Sequence, residues 1–194
     1  MTWSEVMSRI SVHLTIASAG LVVLALVTQA AGFGTEFHVL SIGLTSAILA
    51  LGTLTGVRVH NASREDAAIV LGMNRLRTAY VQMGPGIADY LVTSQHDDQA
   101  RLMATYTMGM PRSTLSHIMG STSMFINIVN AIVAGALGAL IGDAAAGDPL
   151  VASLAGIAVG LIYLAIIVEA ARRSFAQPPL DARFPTPNQK GPIT

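Results

Sequence analysis

A chain of 194 residues with 52% hydrophobic and 11% charged residues differs from soluble domains, in which about a quarter of the residues are charged. Its formal net charge of zero gives no electrostatic indication of nucleic acid as a partner. The absence of cysteine excludes disulfides, thiolate catalysis and cysteine-ligated metals.

Four long, uncharged apolar stretches predict an all-α membrane protein with four transmembrane helices in two hairpins, because each is close to the length that crosses roughly 30 Å of hydrocarbon. They cover residues 10–35, 37–57, 113–142 and 149–168. The links within the two hairpins carry only acidic residues, and all eleven Lys and Arg residues lie on the other side of the spans. The positive-inside rule therefore predicts a multi-pass inner-membrane protein with both chain ends in the cytoplasm.

The first hairpin is predicted to occupy residues 1–57. Apolar residues recur at helical spacing from Trp3 to Ile10, which fits an interfacial helix as well as a frayed terminus. The first apolar stretch is longer than a signal peptide's core and a second follows at once, so we expect it to be retained. A turn at residues 32–35 makes the two spans antiparallel neighbours.

Residues 58–112 are predicted to form a cytoplasmic helical insert. Ser63 with Asp66, and Ser94 with Asp97, have capping-box spacing and predict helix starts. The first helix has an apolar stripe of Ala67, Val70, Leu71, Leu76, Tyr80 and Met83, and a later one has Leu102, Met103 and Tyr106. Such short helices make a marginal core alone, so we expect packing on each other, on the spans or on partner subunits.

The second hairpin is predicted over residues 113–173. Ser113 is expected to cap a helix that enters the bilayer near Gly120 and leaves at Gly142, and the last span ends between Glu169 and Arg173. Residues 174–194 are rich in proline and predict a disordered cytoplasmic tail without a stable element.

Small residues repeat at four-residue spacing in three of the spans, where close approach between helix backbones is a main source of association. They are Gly52, Gly56, Ala134, Gly138, Gly142, Ala152, Gly156 and Gly160. Packing within one four-helix bundle and an interface between subunits both fit this pattern. The second interpretation predicts a homo-oligomer.

Polar side chains at depth are the candidates for function. Asn127 and Asn130 lie one turn apart on the third span, and Ser41 and Thr45 give the second span a weakly polar side. Such residues either clamp helices together or line a pore or cavity.

Titratable residues carry weaker signals. His13 and Glu169 lie at similar cytoplasmic depth, where a pair is feasible, but interfacial side chains explain both. His96, Asp97 and Asp98 point in different directions on a helix, so we expect no metal site. Arg75 and Arg77 fit contacts with lipid headgroups, or salt bridges to nearby acidic residues.

No phosphate-binding loop, nucleophile elbow or zinc-binding helix motif is present, so we expect no enzyme and no cofactor. The stretches 72–80 and 92–98, together with the turn at 32–34, resemble uncharacterised bacterial four-span membrane proteins. That resemblance implies topology and assigns no functional residue.

Two hypotheses for function follow from the sequence. The first is a homo-oligomeric channel or pore-like protein with Asn127, Asn130, Ser41 and Thr45 near the path. The second is a non-catalytic accessory or scaffold subunit of a larger membrane complex.

Overall fold

A computed structural model describes residues 3–108, 121–176 and 181–187, and all regular structure in these residues is helical. The helices in chain order are α1 (Trp3–Ala31), α2 (Thr35–Met83), a 3-10 helix (Pro85–Tyr90), α3 (Gln99–Tyr106), α4 (Thr122–Ala146) and α5 (Pro149–Ala176). Helices α1, α2, α4 and α5 are long and apolar enough to cross a membrane. This confirms the predicted fold class of four membrane helices in two hairpins.

Each hairpin turns at a glycine with a left-handed backbone. Gly32 has φ of 69° between α1 and α2, and Gly147 has φ of 62° at the end of α4. A side chain is strained in this conformation, so glycine stops each helix without cost from a Cβ atom. The Gly147 N–H also donates to the carbonyl of Asp143 (2.8 Å), and the Asp148 carboxylate accepts from the N–H of Leu150 (2.8 Å).

Several predicted boundaries differ from the observed helices. Helix α1 begins at Trp3, so the N-terminal segment and the first span are one helix. Helix α2 passes through Ser63 without a break, and the helix start predicted there is wrong. No proline or glycine lies between Gly56 and Gly72, so nothing in this segment interrupts the helix. Ser63 favours a helix start but does not enforce one.

Side chains cap the N-termini of both α3 and α4. Asp98, rather than Ser94, caps α3 by accepting from the N–H of Arg101 (3.0 Å). Ser121 caps α4 by accepting from the N–H of Met124 (3.1 Å). The predicted cap at Ser113 and the bilayer entry near Gly120 lie outside the described residues.

The chain divides into two compact units. The first, here called the membrane unit, contains residues 3–62 and 121–173 of the described chain. It holds a buried apolar cluster of Val6, Ile10, Val59 and Ile126, against which Leu14 and Ala62 pack.

The second unit, here called the insert unit, contains residues 63–108, 174–176 and 181–187. Its core joins Val70 and Leu71 of α2 to Leu102 of α3. The fully buried Asn74 amide donates to the carbonyl of His96 (2.9 Å) and to the hydroxyl of Thr105 (3.2 Å), so the polar group at this core is satisfied.

Candidate functional site

The small residues of the second hairpin pack α4 against α5 within one chain. A Cβ atom on Gly156 would lie 2.9 Å from the carbonyl oxygen of Gly135, and one on Gly160 would lie 3.0 Å from that of Ala131. A Cβ atom on Gly138 would lie 2.7 Å from the Cβ atom of Val159, and one on Gly142 would lie 3.1 Å from the Cα atom of Ala152. These small residues therefore bring the backbones of α4 and α5 together. This contact corresponds to packing within one four-helix bundle rather than to an interface between subunits.

The glycines of α2 face polar side chains of α4 instead. A Cβ atom on Gly52 would overlap the Asn130 side-chain oxygen and would lie 2.6 Å from Cε1 of His13. A Cβ atom on Gly56 would lie 3.0 Å from the Asn127 oxygen. The absence of side chains at Gly52 and Gly56 makes the space that holds these amides and the imidazole.

We call His13, Gly52, Asn127 and Asn130 the polar site. The side chain of His13 is 2% exposed and that of Asn130 is 0% exposed, and the two lie next to each other. By strict hydrogen-bond geometry neither ring nitrogen of His13 and neither amide atom of Asn130 has a partner among the described residues, but the two side chains are close enough to bond to each other, and such a bond would still leave one ring nitrogen and one amide atom unpaired. Each such group carries a desolvation penalty of roughly 1–3 kcal/mol.

His13 is buried within the membrane unit, which the sequence did not predict, and its depth in the bilayer stays a prediction. Glu169, the partner considered for it, accepts instead from Arg173 on its own helix (2.8 Å). The i, i+4 spacing of Glu169 and Arg173 signals that pair. The residues next to His13 in the sequence do not indicate its burial, because that burial depends on a glycine of another helix.

Ser41 and Thr45 lie further along α2 on the same buried face. The Ser41 hydroxyl donates to the carbonyl of His38 (3.2 Å), and Nε2 of His38 contacts the Asp143 carboxylate of α4 (2.9 Å). Buried Ile48 separates Thr45 from Gly52. The structure thus brings Asn127 and Asn130 together, and leaves Ser41 and Thr45 closer to the turn end of the hairpin.

A groove of about 620 Å³ lies between α1, α2 and α4 in the membrane unit. Thr45 and Ile48 line one side, and Asp143 lies at one of its walls. Leu14 and Val129, the neighbours in sequence of His13 and Asn130, also line it. The groove therefore extends from the level of the Asp143 end to the level of the polar site.

The apolar cluster of the membrane unit lies beside the polar site. Its members Ile126 and Val59 adjoin Asn127 and Gly56 along α4 and α2. Apolar side chains therefore lie against the polar site on this side.

In the insert unit, Arg75 and Arg77 are engaged by polar groups. Arg75 donates to the Asp97 carboxylate (2.8 Å) and to the carbonyl of Asp181, and Arg77 donates to the Asn74 side-chain oxygen (2.6 Å). Arg75 thus has a different acidic partner from those expected nearby in sequence. Contact of either residue with lipid headgroups stays a prediction.

Residues 181–187 are held by the two carboxylates that precede α3. Asp97 accepts from the N–H groups of Arg183 (2.9 Å) and Phe184 (2.7 Å), and Asp98 accepts from the N–H and hydroxyl of Thr186 (3.0 and 2.6 Å). Burial by itself raises the pKa of both carboxyls, but these hydrogen bonds outweigh burial and hold each pKa below its ordinary value.

This docking differs from the disordered tail that the prolines predicted, at least over these seven residues. The ionised carboxylates supply acceptors for backbone donors that a proline-rich segment cannot satisfy by forming a helix. No group of three or more potential metal-ligating side chains occurs within residues 3–108, 121–176 and 181–187.

No known protein family, curated protein or solved structure matches this chain. The resemblance to bacterial four-span proteins accordingly stays a prediction. The four long apolar helices place the chain in the general class of small multi-pass membrane proteins.

Proposed function

We propose that this protein is a channel-like protein of a bacterial inner membrane, assembled as a homo-oligomer, with a path for a small polar species along the faces between α1, α2 and α4. In this proposal Asn127 and Asn130 lie on the path, and Ser41 and Thr45 lie along its continuation. Both termini and the insert are on the cytoplasmic side, as the distribution of positive charge predicts.

One observation supports this proposal above the others, which is that His13 and Asn130 retain buried polar atoms without a partner even if the two side chains bond to each other. A purely structural clamp gains its stability by pairing such groups, and each unpaired one weakens the helix contact. A site visited by water or a proton recovers that loss. Polar groups deep in membrane proteins typically face such an interior path.

The proposal requires the path to be closed in the conformation described. The groove approaches the polar site from the end that contains Asp143, and the cluster of Val6, Ile10, Val59 and Ile126 lies on the other side. Opening then requires these four apolar side chains to separate. An apolar constriction of this kind gates by excluding water.

Flux through reconstituted vesicles tests the proposal. The full chain should carry protons or small monovalent ions faster than empty vesicles, and Asn127→Leu with Asn130→Leu should abolish that flux while leaving assembly unchanged. Asn61→Leu, the same change at an exposed position of α2, is the matched control and should conduct like the wild type. Wild-type vesicles no leakier than empty ones, or a conducting double variant, would refute the path.

A role as a scaffold or accessory subunit is the second candidate. It is favoured by the large apolar side chains that the insert unit exposes, of which Tyr90 and Val92 are the most open. Purification with unlike subunits at a fixed ratio would support this role over the channel.

A further inference from the structure

Helix α2 carries a second apolar face within the insert unit that does not contribute to that unit's core. It consists of Ile69, Met73, Leu76, Tyr80 and Met83, whose exposed fractions lie between 41% and 74%. We call this face the outer seam. Exposed apolar side chains scattered singly are ordinary, but a continuous row of them indicates an interaction surface.

The spacing of the outer seam is regular. Successive members are separated by four, three, four and three residues, which places them on a narrow arc over about four helical turns. The core residues Val70, Leu71 and Asn74 lie on the other side of the helix. The stripe that the sequence presents as one apolar face is therefore two faces, of which only one is used within the unit.

We propose that the outer seam binds the outer seam of a second copy of this chain, as a parallel pair of helices. Alternating spacing of three and four residues is the pattern that lets two helices interlock side chains along a shared axis. A surface with this pattern is complementary to itself. The inference does not depend on the proposed conduction path.

The charges around the seam favour another copy over a lipid surface. None of the five seam residues is charged. The nearby Arg75 and Arg77 already donate to Asp97 and to Asn74, so binding to anionic lipid would have to compete with these partners. Two uncharged apolar rows meet without leaving a buried charge unpaired.

The neighbouring small residues and the membrane itself favour a close, parallel pair. Gly72 and Ala79 flank the seam on one side, and small residues there allow the helix axes to approach. In copies inserted in one bilayer with the same topology, the α2 chains run in the same direction. Confinement to one bilayer raises the effective concentration of one copy near another. A shorter interface than that of a soluble dimer is therefore sufficient.

Disulfide trapping tests the inference directly, since the chain contains no cysteine of its own. Ile69→Cys, Leu76→Cys and Met83→Cys are each introduced into the full chain, purified and reconstituted in vesicles of neutral lipid. Gln82→Cys is the control, because Gln82 is exposed on the same helix but points away from the seam. Mild oxidation should link each seam variant into a dimer at least about tenfold faster than the control.

The positions that form disulfide-linked dimers show whether the two helices pair and in which direction. Dimers at all three seam positions support a parallel pair, whereas dimers at Leu76→Cys alone indicate antiparallel helices and overturn the proposal. Linking no faster than in Gln82→Cys, or a seam buried in lipid without dimers, also overturns it. A native mass measurement in mild detergent checks the result, because Leu76→Glu should yield monomers and Gln82→Glu should not.

Discussion

Replacing Gly52 with alanine should destabilise the membrane unit, since the added Cβ atom occupies space that the polar site uses. It would overlap the Asn130 oxygen and lie 2.9 Å from the Asn130 Cγ atom, so the buried amide has to move together with its carbon. Overpacking of this kind costs about 1–3 kcal/mol.

The matched control is Gly43→Ala in the same helix, where nothing lies within 4 Å of the new Cβ atom. Because both changes replace a glycine by alanine in the span of α2, their effects on helix propensity cancel. The difference in the free energy of unfolding between the two variants should therefore equal the packing cost of about 1–3 kcal/mol.

Reversible unfolding in mixed detergent micelles measures this difference. The second arm adds Asn130→Ala, which removes the obstructing amide. Gly52→Ala should then cost less in the Asn130→Ala background than in the wild type, as expected for residues in contact. Equal stabilities of Gly52→Ala and Gly43→Ala, within about 0.5 kcal/mol, would show that Gly52 does not hold the amide in place.

Three further predictions concern the insert unit and the topology. Docking of residues 181–187 should persist down to the ordinary carboxyl pKa of about 3.9 and be lost as the pH falls through the lowered pKa of Asp97, and Asp97→Asn should expose this segment to protease at neutral pH. Tyr106→Phe should lower the stability of the insert unit by about 1 kcal/mol, and the Tyr106 hydroxyl, whose pKa is raised by burial and by its bond to the Asp66 carboxylate, should ionise above the ordinary pH range of tyrosine in an ultraviolet titration. A membrane-impermeant thiol reagent should label Tyr90→Cys only from the cytoplasmic side and Phe33→Cys only from the opposite side, and the reverse pattern would contradict the assigned orientation.

Of the candidate site, the sequence identified the amides of Asn127 and Asn130 but not their surroundings. Their polarity within an apolar helix is visible in the chain itself. The role of His13 was not, because its burial depends on space left by Gly52 in the neighbouring helix. The docking of the tail on Asp97 and Asp98 was missed for the same reason, since it joins residues far apart in sequence.

The number and class of the membrane helices were determined by the sequence alone. Hydrophobic length and the absence of charge are properties of contiguous segments, so they are independent of what each helix contacts. Tertiary structure decided which faces of those helices are used. The small residues of α4 are directed to α5, the glycines of α2 to the polar site, and one apolar face of α2 to the core of the insert. A face acquires its role only from the element packed against it, and that pairing is set by the shape and hydrogen bonding of residues distant in the chain.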